Sequence, residues 1–127
     1  MTEMAKGSIS TGLRAHLAGS SAEAQAARAY EAQGYSVEEL RWRGASGEID
    51  LILRLGVLLV FAEVKTGPSI AAAAARITPR QMQRVQASAG LYLEQQPLGA
   101  LSEARIDVVL VAQDGTVEIL ENAYGQG

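Results

Sequence analysis

Two apolar, strand-like segments separated by a short turn constrain the fold of this chain more than any other feature of its sequence. They span residues 48–54 and 57–65, with Gly56 at the turn. Residues 57–61 are uninterrupted aliphatic and aromatic side chains, a pattern typical of a central strand that is buried on both faces. The pair therefore predicts a β-hairpin at the centre of a buried sheet.

Each strand of this hairpin carries charge where an aliphatic side chain would suit a core better: Asp50 in the first, Glu63 and Lys65 in the second. Strand side chains alternate between faces, so the turn length decides whether the three meet. A two-residue loop at 56–57 places Asp50 opposite Glu63, and one at 55–56 places them diagonally. Either loop keeps all three side chains on one face, whereas an odd-residue loop would separate them.

Two carboxylates and one ammonium group at this spacing suit a hard divalent cation. Opposed strand residues have Cβ atoms roughly 5 Å apart, so both carboxylates could share an ion such as Mg²⁺. The ion would polarise a phosphoryl oxygen and lower the pKa of a water, which the lysine could position. The alternative is a surface ion pair beside a solvated Asp50, but the end of a central strand is an unusual place for surface charge.

The whole chain predicts an α/β fold in the order α-β-β-β-α-β-β, with about five strands in a mixed sheet flanked by helices. Ser20 and Glu23 form a candidate capping box at the first helix, and Thr78 and Gln81 form one at the second. Asp114 begins a hairpin turn signal. The predicted elements are a helix over 22–33, a strand over 35–42, the central hairpin, a helix over 79–95, and strands over 105–112 and 116–120.

Composition limits the class of protein. The chain has 127 residues, 48% of them apolar, enough for one globular domain. The absence of cysteine excludes disulfides and thiolate metal sites. Residues 1–10 lack the apolar core of a signal peptide, and the longest apolar run is too short for a bilayer, so we expect a cytoplasmic protein without a membrane segment. We predict a partly helical extension over 1–18, a domain over 19–121 and a tail over 122–127.

The charged hairpin also resembles a known signature. Asp50 followed by Glu63-Val64-Lys65 is similar to the split Asp…Glu-x-Lys motif of the PD-(D/E)XK nuclease superfamily, which includes restriction endonucleases and archaeal-type Holliday junction resolvases. More of the chain, roughly residues 19–112, resembles the YraN-like family of small bacterial, nuclease-like proteins. The matching motifs are residues 19–23, 26–27, 34–35, 41–43, Gly47-Glu48-Ile49-Asp50-Leu51-Ile52, Phe61-Ala62-Glu63-Val64-Lys65-Thr66 and residues 105–109.

The resemblance implies a restriction-endonuclease-like fold and hydrolysis of DNA phosphodiester bonds. It makes Asp50 and Glu63 ligands of Mg²⁺ or Mn²⁺, with the backbone carbonyl of Val64 as a further ligand. Lys65 becomes the catalytic lysine that orients or activates the attacking water. The expected partner is DNA, recognised by structure, such as branching or damage, rather than by sequence. A homodimer is plausible, because cutting both strands uses two sites related by a two-fold axis.

Three further residues join the site through the resemblance, and each has a structural alternative. Glu23 matches a first-helix glutamate that often joins the site in resolvase-like members, or it serves the helix cap. Gln81 lies where related nucleases often extend a residue towards the site, or it serves the second cap. Glu48 would support the metal ligands, or it pairs with Arg41 or Arg43.

Arginines provide the candidate contacts to phosphate, although ordinary solvated side chains are the alternative. The predicted nucleic-acid-binding residues are Arg41, Arg43 and Arg84. Gly67 stands where many family members carry an arginine, so one phosphate-facing cation is missing. Arg105 and Asp107 are interpreted as an ion pair outside the metal site. The alternative function is a non-catalytic nucleic-acid-binding module, or an interaction domain, on the same fold.

Overall fold

A computed structural model describes residues 19–99 and 102–123. The predicted extension over 1–18 and the last four residues of the predicted tail lie outside this described part. The elements, in chain order, are α1 (Ala22–Glu31), β1 (Ser36–Gly44), β2 (Gly47–Leu55), β3 (Leu58–Gly67), α2 (Ile70–Ala74), α3 (Pro79–Glu94), β4 (Glu103–Ala112) and β5 (Val117–Leu120). The predicted α/β class and element order are confirmed. The short helix α2 lies in a segment that the sequence left open between loop and helical turn.

The five strands form one sheet in the order β1-β2-β3-β4-β5, with β3 at the centre. All neighbours are antiparallel except β3 and β4, which are parallel. A parallel pair needs a crossover connection, and α2 and α3 supply it. The central place of β3 follows from its apolar run, because residues 59–63 are all buried.

Helices cover both faces of the sheet. On one face, the small residues of α1 and Tyr30 pack against β2, β3 and β4. On the other face, Val85, Ala89 and Tyr92 of α3 pack against β2 and β3. The buried stripe predicted for α3 is confirmed at all four of its positions: Met82, Val85, Ala89 and Tyr92. None of the helices in the described ranges has the length and apolar content needed to cross a membrane.

The alternation of side chains between faces breaks at one row of β1 and β2. In β2, Ile49 and Ile52 join the same cluster under α3 although they are three residues apart, while Leu51 packs under α1. In β1, Leu40 packs towards α1 and Trp42 towards α3, although residues two apart normally share a face. The row between these pairs contains Arg41, whose φ is +51°, and Asp50. Strict alternation along β2, which would place residues 48, 50 and 52 on one face, therefore does not hold.

The predicted N-cap is confirmed for α3 and is wrong for α1. At α3, Thr78 and Gln81 form the predicted capping box, with Pro79 in the first turn. At α1, the cap is Ser21, whose Oγ accepts the N–H of Ala24, and not the predicted Ser20. Glu23 therefore occupies the second helical position instead of the third, so it does not complete a capping box.

The end of the described chain is attached to the sheet. The N–H of Asn122 donates to Asp107 Oδ1 at 2.9 Å, and the N–H of Ala123 donates to the carbonyl of Ile106 at 2.9 Å. The first two residues of the predicted 122–127 tail therefore belong with the globular part.

Candidate functional site

The central hairpin has the two-residue loop that the sequence predicted. Leu55 pairs with Leu58 across a turn at 56–57, and the paired register runs to Leu51 and Ala62. This is the register in which the next row places Asp50 opposite Glu63. The register ends there, because the row beyond it is the one at which the strand alternation breaks.

At this point the side chain of Asp50, instead of the backbone of β2, forms the hydrogen bond to β3. Its Oδ2 accepts the backbone N–H of Val64 at 2.8 Å, so a side-chain carboxylate from β2 bonds to the backbone of β3. In a β-strand the N–H and C=O of one residue point to the same neighbouring strand. The carbonyl of Val64 therefore faces the same gap as the Asp50 carboxylate, and the local opening of the sheet holds two kinds of oxygen.

Glu63 and Lys65 lie beside this gap on one face of β3. Lys65 Nζ is 3.6 Å from Glu63 Oε2. The side chains are only 14% and 11% exposed for Lys65 and Glu63, respectively. A pair this well buried is poorly screened by solvent, unlike a surface ion pair. The structure thus brings together four predicted site residues: Asp50, Glu63, Val64 and Lys65.

Both carboxyl groups hold protons more tightly than a solvated acid does. Burial, together with the charge of Asp50, raises the pKa of Glu63 to about 7, and Lys65 opposes the rise. Burial also raises the pKa of Asp50, against the lowering effect of the Val64 N–H, and the charges of Glu23 and Glu48 add to the rise. A buried carboxylate, Glu63, and a half-buried one, Asp50, that repel each other favour a shared proton or a bound cation.

The donor set fits a hard cation such as Mg²⁺ as far as the chain supplies ligands. Two carboxylates and one backbone carbonyl provide oxygen only, and Mg²⁺ in proteins commonly keeps several waters beside one or two carboxylates. Within residues 19–99 and 102–123 no group of three or more His, Cys, Asp or Glu side chains is close enough to hold a metal. Any ligands beyond Asp50, Glu63 and the Val64 carbonyl would therefore come from solvent or substrate.

Glu23 and Glu48 flank the pair without joining it. Glu23 Oε1 is 3.7 Å from Arg41 Nη2, and its side chain is 25% exposed. Glu48 Oε2 is 3.9 Å from Arg43 Nη2 at a more exposed position. The alternative interpretation of Glu48, as the partner of an arginine, is the arrangement present. Both acids act on Asp50 through their charge.

Gln81 and Arg84, on the exposed side of α3, have separate positions. The side chain of Gln81 accepts from both the N–H and the hydroxyl of Thr78, at 3.3 Å each, so it is engaged in the helix cap. The Arg84 side chain lies over Gly47 at the start of β2, where an added Cβ would be 3.6 Å from Arg84 Cδ. Arg84 is therefore close to the hairpin strand that carries Asp50, whereas Gln81 has a structural role.

Charge is distributed unequally between the two ends of the sheet. We call the end where β2 begins and β3 terminates the site end, and the opposite end the far end. The cations at the site end are Arg41, Arg43, Lys65, Arg76, Arg80 and Arg84. The carboxylates at the far end are Glu31, Glu38, Glu39, Glu94, Glu103 and Glu121. The site end also carries the carboxylates Glu23, Glu48, Asp50 and Glu63, so its cations and acids largely balance, and the far end holds the larger share of the net charge of −3.

Arg76 and Arg80 were not among the predicted site residues. Both are exposed, and neither side chain forms a hydrogen bond or ion pair with the described part of the chain, although the Arg76 N–H donates to the carbonyl of Ala73. Arg76 follows α2 and Arg80 lies in the first turn of α3, so the crossover connection brings both to the site end. No local motif marks them, because their proximity to the hairpin depends on how the crossover packs.

Comparison with known proteins gives a family without an assigned activity. The profile described as "Uncharacterised protein family UPF0102" matches residues 22–111. A UPF0102 protein of Ruegeria sp. strain TM1040 is 59% identical over 116 residues, covering 91% of this chain and 94% of that protein. A UPF0102 protein of Roseobacter denitrificans is 48% identical over 119 residues, covering 94% and 92%, respectively. The matched region contains every residue of the site.

Proposed function

The chain belongs to the UPF0102 family, and we propose that it is a metal-dependent nuclease that hydrolyses phosphodiester bonds in DNA. This proposal places the chain in the PD-(D/E)XK superfamily with a restriction-endonuclease-like fold.

The observation that carries the proposal is the half-open gap between β2 and β3. Asp50 leaves the regular strand alternation, and its carboxylate accepts the N–H of Val64 while lying next to Glu63. A purely structural pair of carboxylates here would keep two raised pKa values, because the Val64 N–H and Lys65 only partly offset burial and mutual repulsion. Such a costly arrangement is typical of a site that binds a cation and substrate.

Asp50, Glu63 and the Val64 carbonyl would hold Mg²⁺ or Mn²⁺. When bound, the ion would supply positive charge to a phosphoryl oxygen and lower the pKa of a bound water. Lys65 is the residue placed to donate a hydrogen bond from Nζ to the attacking water or to a phosphate oxygen. Its contact with Glu63 keeps Nζ at the gap, and the packing around both side chains limits access of bulk water.

The site-end cations support a polyanionic substrate. DNA binding depends on neutralising phosphates, and arginine is well suited to that contact. Arg41 and Arg43 lie on β1 beside the gap, and Arg84 lies across Gly47 from them. Carboxylates concentrated at the far end would orient the protein with its site towards DNA. Contacts of this kind read the backbone and its shape, which favours structure over sequence as the basis of selection.

The test is a cleavage assay with the purified full chain. Labelled linear duplex, single-stranded, nicked and four-way DNA are incubated with Mg²⁺, with Mn²⁺, or with chelator. We expect cleavage of at least one substrate only with metal, and a loss of roughly 100-fold or more in Asp50→Asn, Glu63→Gln and Lys65→Ala. The matched control is Glu118→Gln, which makes the same chemical change at an exposed position of β5.

Two results would contradict the proposal. Cleavage that survives Asp50→Asn would come from another site or a contaminant. DNA binding without cleavage of any substrate would favour the non-catalytic binding module instead. Binding by Lys65→Ala, measured separately, shows whether the lost activity reflects chemistry or affinity.

A further inference from the structure

We propose that a cavity beside the site, containing Arg76, binds a second phosphate group of the substrate. This inference rests on the proposed nuclease function and names a subsite for it. The cavity has a volume of about 370 Å³ and opens at the site end. Its lining residues come from α1, the end of β3, the connection after α2 and the end of β4: Ala22, Gln25, Thr66, Gly67, Pro68, Arg76, Val111, Ala112 and Gln113.

The cavity adjoins the carboxylate site around the end of the sheet, along two chain segments. Thr66, which lines it, directly follows Lys65 in β3, so the two side chains point to opposite faces of the strand while their Cα atoms are about 3.8 Å apart. Ala22, which also lines it, directly precedes Glu23, whose charge acts on Asp50. A substrate strand whose reacting phosphate sits at Asp50 and Glu63 can therefore place a neighbouring phosphate in the cavity.

The chemistry of the lining suits an anion. Arg76 is its one ionised side chain, and none of the described residues that line it is acidic. Thr66 and Gln113 add a hydroxyl and an amide group that can donate hydrogen bonds, whereas the Gln25 amide already donates to the carbonyl of Ser20 at 2.8 Å. Arg76 is exposed and is not engaged by any carboxylate of the described residues, so its guanidinium is available for a bidentate contact to phosphate.

Close packing of α2 against the end of β3 fixes one side of the cavity. A Cβ added at Gly67 would lie 2.6 Å from the backbone nitrogen of Ala73, so α2 approaches β3 as closely as glycine permits. The N–H of Gln113 donates to the carbonyl of Gly67 at 3.1 Å and ties the end of β4 to the end of β3. Two of the lining residues, Gly67 and Gln113, are therefore held by backbone contacts, and Arg76 contributes the charged group.

The experiment is a titration of the isotopically labelled full chain with short DNA, followed by amide NMR shifts in chelator so that nothing is cut. One probe is a 5′-phosphorylated tetrathymidylate whose internal linkages are neutral methylphosphonates. The other has ordinary linkages and a 5′-hydroxyl. If the 5′-phosphorylated probe shifts the amides of Thr66 and Gln113, the cavity binds a terminal phosphate. If the probe with ordinary linkages shifts them, the cavity binds an internal phosphate. A tetranucleotide is short enough that few alternative registers can hide the contact.

The matched variants are Arg76→Ala and Arg80→Ala, which remove the same charge inside and outside the cavity. We expect Arg76→Ala to abolish the Thr66 and Gln113 shifts and raise the Kd roughly tenfold. It should also lower the salt slope of binding by about one. Arg80→Ala should keep the Thr66 and Gln113 shifts. Because both side chains are exposed, neither variant should alter the unfolding profile.

Shifts confined to residues around Arg41, Arg43 and Arg84 would overturn the phosphate subsite while leaving the nuclease proposal standing. Equal losses in Arg76→Ala and Arg80→Ala would also overturn it, since a general charge effect would then explain both. If neither probe binds, the phosphate subsite is contradicted. If DNA longer than these tetranucleotides also fails to bind, the nuclease proposal is contradicted as well.

Discussion

Two buried acidic groups in this protein differ in how completely they are satisfied. Asp107 on β4 is fully buried, and its two oxygens accept four hydrogen bonds: from Tyr30 Oη, Arg105 Nε, Arg105 Nη2 and the N–H of Asn122. Asp50 accepts one backbone N–H, and Glu63 has Lys65 as an ion-pair partner at 3.6 Å. The two groups also differ in depth, because Asp107 is fully buried whereas Asp50 is half-buried.

The hydrogen bonds within the Asp107 group account for the burial of its charges, because every charged group and hydroxyl in it has a partner. Tyr30 joins α1 to β4 through it, and Arg105 also donates to Tyr35 at 2.9 Å. Burial and the charge of Asp107 raise the pKa of Tyr30, so its hydroxyl remains a donor at any ordinary pH. The Asp50–Glu63 pair lacks such compensation. We call a carboxylate saturated when its oxygens have a full set of hydrogen-bond partners within the protein, and unsaturated when they do not. A saturated buried carboxylate therefore indicates a structural role, whereas an unsaturated pair indicates a bound ligand.

The largest expected effect comes from breaking the saturated group. Asp107→Ala leaves the Arg105 guanidinium, only 18% exposed, without its main partner and removes the acceptor of Tyr30. We expect a loss of about 3–5 kcal/mol in the free energy of unfolding, measured in urea. Glu121→Ala is the control, because Glu121 is 57% exposed and 3.8 Å from Arg105, and it should cost under about 1 kcal/mol. Similar losses of unfolding free energy in Asp107→Ala and Glu121→Ala would show that burial does not make Asp107 more important than Glu121.

The unsaturated pair should make the metal-free protein less stable as pH rises. The pKa of Glu63 is about 7 when folded, against 4.5 ordinarily, so the folded chain binds this proton more tightly than the unfolded chain. Its contribution to stability is full below about pH 4.5 and is lost as pH rises through 7. We expect a decrease of about 1–3 kcal/mol between pH 5 and 8 from this group.

Glu63→Gln tests the origin of that pH dependence. The neutral amide removes the titrating group and the repulsion with Asp50, so the fall in stability between pH 5 and 8 should shrink, and the variant should exceed the parent at pH 8 without metal. Urea unfolding at several pH values in chelator measures this. Glu118→Gln, at an exposed position, should leave the profile of the parent unchanged. A profile in Glu63→Gln as steep as that of the parent would place the titration elsewhere.

The smallest of the three effects is stabilisation by metal. If the pair binds Mg²⁺, a concentration ten times the Kd should add about 1.4 kcal/mol to the free energy of unfolding. The gain should vanish in Asp50→Asn and persist in Tyr30→Phe, which alters only the saturated group. Thermal unfolding with and without Mg²⁺ at pH 8 provides the measurement. A gain that is equal in Asp50→Asn would assign the ion to another part of the protein.

Most of the sheet could be predicted because its signals are local. The apolar run of β3, the two-residue length of the turn around Gly56 and the capping box at Thr78 each depend on residues close together in sequence, and all three are confirmed. The cap of α1 was misassigned because Ser20 and Ser21 are adjacent and both suit the position. Which one is used depends on where the helix meets the sheet, and this decides that Glu23 lies in the second helical position.

The sequence by itself determined the hairpin, the residues that carry its charge and the parity of its turn, because strand periodicity and turn length are properties of the local chain. Only the tertiary structure decided how Asp50 is used. Its carboxylate bonds to Val64 because β1 and β2 change faces at Arg41 and Asp50, and strict alternation did not predict that change. The position of Arg76 at the cavity is likewise set by packing of the crossover. Both features depend on contacts between segments distant in sequence, which no local pattern encodes.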